Sequence, residues 1–207
     1  MFKKIFLLCA VLIMVSAQVH SQEQVAGYDK STNSFTKYRN IYKFSLTEFT
    51  RNTFQMGYER FVAPNTSLYF LAGLTSKDNN DDNIFGIKTE LQLKIHAYTS
   101  ARGKVMHRLY FAPYIMNHYL DTEFTEWEYD QYSNYHEVKV SDSFDVVGTG
   151  VMFGWSFSFA KRMNIDVYTG GGIRRTIGSG DNSNDGVWDY SYSGITPRFG
   201  IDVGFLF

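Results

Sequence analysis

From Ile195 to Phe207 the chain alternates. Ile195, Phe199, Ile201, Val203, Phe205 and Phe207 fall on every second position, and Thr196, Arg198, Gly200, Asp202 and Gly204 stand between them, with Leu206 the exception. A repeat of two is what a strand with one apolar and one polar face requires; a helix would bring its apolar residues back every three to four positions. The same alternation recurs in seven earlier stretches: Tyr42 to Thr47, Phe54 to Glu59, Leu68 to Thr75, Phe85 to His96, Arg108 to Ile115, Val147 to Phe159 and Ile165 to Arg174. Eight strands of this kind predict an all-β chain.

The connections alternate in length. Residues 63–66, 99–104 and 160–163 are short turns, the first built on Ala63-Pro64-Asn65, whereas 77–83, 121–143 and 178–191 are long and polar. The connection near Thr50 to Thr53 breaks the parity by being short. Pro113 cannot donate to a ladder, so an irregularity is expected there. Gly170-Gly171-Gly172 lies inside a strand rather than between a strand and a helix, so it is no phosphate loop, and close backbone packing or a bend explains it.

Residues 1–21 read as a signal peptide: Lys3 and Lys4, an apolar run from Ile5 to Val15, and cleavage after Ala17 or, as the rival, after Ser21. Residues 22–39 read as a polar periplasmic leader and 40–207 as the folded domain. Cys9, the single cysteine, lies in the apolar run, so a mature chain would have no disulfide, thiolate nucleophile or cysteine metal site. No later stretch is apolar enough for a membrane helix, which needs roughly 20 residues. A net charge of -1 gives no reason to expect nucleic acid.

Alternation does not say which face is inside. A soluble lipocalin-like barrel would turn the apolar face inward, but an eight-stranded barrel has an interior just wide enough for side chains to fill. Phe85, Phe111, Phe153, Trp155, Phe157, Phe159, Phe199, Phe205 and Phe207 would overfill it, while the opposite face is rich in Gly and Ser with scattered charge. An aromatic content of 17% also suits a protein with membrane interfaces to line. With its alternating strands and terminal Phe207, the chain resembles the small eight-stranded outer-membrane β-barrel proteins of Gram-negative bacteria, the OmpA/OmpX-type barrels. The resemblance implies an eight-stranded antiparallel up-and-down transmembrane β-barrel over residues 40–207, located in the outer membrane. It implies outer-membrane lipid around the barrel, and barrel assembly machinery that reads Phe205 and Phe207 as an assembly signal.

On this reading Lys43, Glu59, Lys88, Glu90, Lys94, Arg108, Asp166, Arg174, Arg198 and Asp202 face a narrow lumen. Buried charges must be paired or left wet, and a closed, salt-bridged plug is expected rather than a porin-like ion path, with Glu90 the counter-charge of Lys88 or Lys94. The long connections are acidic and aromatic: Trp127, Tyr129, Tyr132 and Tyr135 in one, Trp188 and Tyr190 in the last. They are candidates for binding an extracellular protein or glycan, unless the first is a strand-extending hairpin with a solvated acidic face. His96, His107 and His118 match no metal motif and no Ser/His/acid order, so no cofactor, metal site or catalytic residue is expected. Some barrels of this size are lipid-modifying enzymes with a histidine near a rim, and His118 keeps that alternative open.

Overall fold

The structure is a computed structural model and describes residues 39–78, 82–102, 105–129, 135–159, 162–178 and 190–207. The expected signal peptide, and all but the last residue of the leader, lie outside these ranges.

Strands form where the alternation predicts them: β1 (Asn40–Ser45), β2 (Thr53–Ala63), β3 (Thr66–Asp78), β4 (Asp82–Arg102), β5 (Val105–Tyr129), β6 (Tyr135–Phe159), β7 (Met163–Gly178) and β8 (Gly194–Leu206), with one helical turn, α1 (Leu46–Phe49), after β1. Each strand pairs antiparallel with its sequence neighbour, and β1 pairs with β8 to close the barrel. The ladder can be followed from Ile195 through Ile173, Thr149, Ile115, Leu91, Phe70, Tyr58 and Tyr42. It returns to β8 at Phe205, ten positions beyond its start. A stagger of this kind tilts the strands of a barrel, typically by ~35–45°. Fold class and strand number are therefore as expected: an eight-stranded, antiparallel, up-and-down barrel.

The pleat directs polarity as the volume argument requires. Phe54, Leu74, Phe153, Trp155, Ile173 and Phe199 are exposed on the outer wall, whereas Lys43, Glu59, Lys94, Asp166 and Asp202 are buried inside. A lipocalin-like barrel needs the reverse. Inward glycines have a packing cause: the Tyr110 ring lies where a Cβ on Gly154 would be, and the Tyr168 ring does the same over Gly200. Each ring lies against the strand beside its own, and the glycine gives it room. The Gly170–Gly172 run approaches β6 closely: Cβ atoms on Gly170 and Gly172 would overlap the carbonyl oxygens of Val151 and Thr149.

The connections expected at 77–83 and 99–104 shrink, because β3 runs to Asp78 and β4 from Asp82 to Arg102, and four further expectations need correction. Leu46 and Thr47 do not continue β1; Ser45 caps α1, its hydroxyl accepting from the Glu48 N–H at 3.4 Å. Most of 121–143 is strand, paired from Asp121↔Ser143 to Tyr129↔Tyr135, because each strand of a two-stranded ribbon bonds half of its backbone groups to the other and can leave the rest to water. Pro113 stands opposite Val151 in register, while toward β4 the ladder skips from Gln92↔Tyr114 to Ile95↔Phe111; the register shift itself falls between His96 and Tyr98. The last strand opens at Gly194, not Tyr192.

Candidate functional site

The barrel interior is organised around one ring of charge. Lys43 of β1 lies 2.5 Å from Glu59 of β2 and 2.5 Å from Asp166 of β7. Lys94 of β4 lies 2.6 Å from Asp166 and 3.4 Å from the same Glu59 oxygen. Two ammonium groups and two carboxylates thus alternate across the lumen, and all four side chains are at most 2% exposed. The remaining space is filled by tyrosines: the Lys94 ammonium lies 4.4 Å from the centroids of both Tyr69 and Tyr110. Such contacts stabilise a cation removed from water. Ser67 donates to Glu59 at 2.7 Å, His96 is hydrogen-bonded to Ser67 at 3.2 Å, and Tyr69 donates to Asp202 at 3.1 Å.

Nearer the loop end the pairs differ from those the sequence suggested. Glu90 binds Arg198 at 2.9 Å and accepts from Gln92 at 2.8 Å, and Lys88 binds Glu48 at 2.9 Å. Glu90 therefore pairs with neither Lys88 nor Lys94. Residues two apart on a strand face the same way from one wall, whereas a narrow lumen brings partners from facing walls closer. Arg108 stands apart from the ring, its guanidinium 4.3 Å over Phe61. Arg174 donates from Nε to the Tyr192 carbonyl at 2.8 Å. Of the ten charged residues expected inside, eight are buried, and Arg174 and Arg198 are half-buried.

Glu48 was not legible as a lumen residue, because the alternation seemed to pass through it toward a loop. One signal was available: Ser45-Leu46-Thr47-Glu48 has the capping-box spacing that starts a helix. That turn swings the carboxylate inward to Lys88.

Above these pairs lies a cavity of about 50 Å³ bordered by Lys88, His118, Arg174 and Arg198. His118 bonds Thr75 at 3.0 Å, and Thr75 bonds Thr53 at 2.8 Å. A cluster of Leu120, Phe144 and Val146, with Ile84, Met116 and Tyr190 packed on it, caps the interior at this end. Tyr190 donates to the Arg51 carbonyl at 2.7 Å. Its burial raises the hydroxyl above the usual phenol range despite the nearby Arg51 charge, so it is a neutral donor. Among the described residues no group of three or more His, Cys, Asp or Glu side chains could hold a metal ion. His107 lies on the outer wall beside Trp155 and Phe157, with ring centroids at 6.2 and 5.3 Å.

Trp127 and Tyr129 belong to the far end of β5 and Tyr135 opens β6, so the β5–β6 ribbon carries all three. Tyr132 and Trp188 lie outside the described residues. Phe205 is on the outer wall, and Phe207 stacks on Tyr42 with centroids 4.6 Å apart and planes 9° from parallel.

No family model and no curated protein matches the chain. Among solved structures it is similar to the crystal structure of the N-terminal β-barrel domain of Pseudomonas aeruginosa OprF, at 15% identity and a TM-score of 0.34, over 81% of this chain and 96% of that one. This chain's own strand order, closure and stagger show an eight-stranded, antiparallel, up-and-down barrel.

Proposed function

We propose that the protein is an outer-membrane barrel whose closed interior serves stability and whose β5–β6 ribbon is a surface for binding an extracellular protein. The membrane part of this reading is supported by the outer wall. Outward-facing residues of β8 are apolar from Ile195 to Phe205, roughly 33 Å of strand at ~3.3 Å per residue. At a tilt near 40° that is about 25 Å of height, the apolar band of a membrane barrel.

The ribbon carries the binding reading. β5 and β6 are each 25 residues long, whereas a membrane crossing needs about 9–11. Their outer faces turn polar at Asn117 and Asp145, and pairing continues to Tyr129↔Tyr135, roughly 40 Å further along the strands. β6 pairs with β7 only as far as Phe144↔Gly178. Residues 135–143 therefore form an edge without a strand neighbour among the described residues. An edge of this kind accepts an added strand through its backbone groups, and the acidic residues along the ribbon favour a basic partner segment.

The lipid-modifying alternative would rest on His118, which is buried and bonded to the Thr75 hydroxyl, itself bonded to Thr53, with no carboxylate among its hydrogen-bond partners in the described residues. Surface binding remains the better-supported reading. The test replaces residues 124–138 with a short Gly/Ser linker. The variant is expected to fractionate with the outer membrane and to remain heat-modifiable on gels, while losing capture of basic, extended peptides by the intact protein's surface. Failure to fold would make the ribbon part of the barrel wall, and unchanged capture would remove it as the binding surface.

A further inference from the structure

The two ends of the barrel differ in charge. Residues 46–53, 77–83, 121–143 and 178–191, which make up one end, carry fourteen Asp and Glu against three Lys and Arg. The short-turn end, residues 39–41, 60–67, 95–108, 157–163 and 203–207, carries seven Lys and Arg and no Asp or Glu. Arg39 precedes β1, Arg60 lies near the end of β2, Arg102 ends β4 and Arg162 precedes β7, so the cations are spread around that end. Arg39, Arg60 and Arg162 are exposed, and among the described residues no ion pair joins them to a carboxylate. Counting the Phe207 carboxylate still leaves cations in excess.

On one wall of this end the arginines border an aromatic cluster. Phe207 stacks on Tyr42, and Tyr58 stands 5.4 Å from Tyr42 and 6.4 Å from Phe207, between ring centroids. The Tyr58 hydroxyl donates to Asn40 at 2.8 Å and lies beside the Arg60 guanidinium. On the other flank the Arg162 guanidinium lies 5.8 Å from the centre of the Phe205 ring. Both flanks are tied down through the backbone: the Phe61 N–H donates to the Arg39 carbonyl at 2.9 Å and the Leu206 N–H to the Arg162 carbonyl at 2.6 Å. From β7 through β8 and β1 to β2, the wall therefore reads Arg162, Phe205, the Phe207–Tyr42 stack, Tyr58, Arg60. At ~4.8 Å per strand, roughly 15 Å separates the two outer backbones, and long side chains can narrow that gap from both sides. The outward residues of β2 run Phe54, Met56, Tyr58 and then Arg60, and those of β8 end at Phe205. The arginines thus stand just past the apolar band, where acyl chains give way to head groups.

We infer that this face, at the short-turn end of β7, β8, β1 and β2, binds anionic phospholipid, with Arg60 and Arg162 on the head group and the Tyr42–Tyr58–Phe207 cluster against the glycerol and upper acyl chain. The inference rests on the outer-membrane reading above and names a lipid that the reading leaves open. The occupant is chosen by chemistry. The cluster continues the apolar band of the outer wall and faces sideways, as a ligand with acyl chains requires, and the cations beside it have no acidic residue at their end to offset them. Guanidinium groups favour phosphate because their planar fork matches two of its oxygens. A zwitterionic head group brings its own cation, so an excess of arginine favours the lipid that has none.

The test refolds the full chain into phosphatidylcholine bilayers and measures, by electron spin resonance, how much spin-labelled phosphatidylglycerol the barrel holds relative to spin-labelled phosphatidylcholine. A preference of at least about fivefold for phosphatidylglycerol is expected, the scale of one arginine near a membrane surface, and it should weaken as salt is raised. Arg60→Gln combined with Arg162→Gln should bring the ratio near one, whereas Arg102→Gln, at the end of β4, should leave it unchanged. Inorganic phosphate, compared with sodium chloride at the same ionic strength, should not displace the labelled lipid. Equal retention of the two lipids by the inserted wild-type barrel would overturn the inference, as would a ratio unchanged in the double variant. An equal loss in Arg102→Gln would replace the site by the diffuse charge of the whole end, and displacement by phosphate would make it a site for free anions. Heat-modifiability verifies folding of each variant. A wild-type chain that folds and stays soluble without lipid or detergent would overturn the outer-membrane reading instead, and the inference with it.

Discussion

At the scale of single residues, the ion pairs in the lumen join different elements of the wall. Arg198 is the clearest case, held by Glu90 at 2.9 Å and stacked 4.6 Å from the centre of the Tyr114 ring. Removing one member of such a pair leaves an uncompensated buried charge, which costs ~3–5 kcal/mol where the site is dry. Arg198 borders the cavity, so water can reach it and the lower end of that range applies. Glu90→Gln is therefore expected to lower stability by about 3 kcal/mol in a urea titration of the refolded protein. Glu90→Gln combined with Arg198→Gln should cost less than Glu90→Gln alone. A double variant that loses as much as the sum of both singles would mean that the two side chains act independently.

At the scale of elements, the capped turn α1 is what ends β1 early. Its hold on β8 runs through the Thr47 hydroxyl, which accepts from the Ile201 N–H. The contact is exposed, so losing it costs about 0.5–1.5 kcal/mol, the net worth of one hydrogen bond. Thr47→Val keeps the shape and removes the acceptor, so it should lower the unfolding free energy by that amount, while Thr47→Ser should stay near wild type. Equal urea midpoints for both variants would show the contact to be dispensable. The β5–β6 ribbon teaches a different lesson about legibility. Beyond Asp121 the sequence mixes Phe124, Trp127 and Tyr129 with Thr and Glu at no fixed period, so the contrast on which period-two reading depends weakens although the strand continues. The ladder persists because each strand still has the other to bond to.

For the whole molecule, the interior is closed at two levels. The Lys43–Glu59–Lys94–Asp166 ring with its tyrosines fills one cross-section, and the Leu120–Phe144–Val146 cluster caps the end near the loops. Opening a continuous water path would have to break ion pairs and an apolar cluster together. Planar-bilayer recordings of the refolded barrel are therefore expected to show no steady conductance. Large, stable single-channel steps would mean that the ring opens at little cost, making the protein a small pore.

The alternation in the chain was enough to determine the strand class, the number of strands and the face of the residues within the alternating stretches. The pleat is local: once Lys43 faces inward, Tyr42 and Phe44 must face outward, whatever the rest of the chain does. Volume then decided which face was inside, because the aromatic residues of one face exceed what an eight-stranded lumen can hold. The partners of the charges were a different kind of question. Glu90 is two positions from Lys88 and far in sequence from Arg198, yet it is Arg198 that it binds. That choice depends on the stagger of the closed barrel, which sets which residues meet across the lumen and belongs to no single strand. The same holds where β8 outruns β1: the capping box at Ser45 could be read in advance, but only closure brings a six-residue β1 against a thirteen-residue β8.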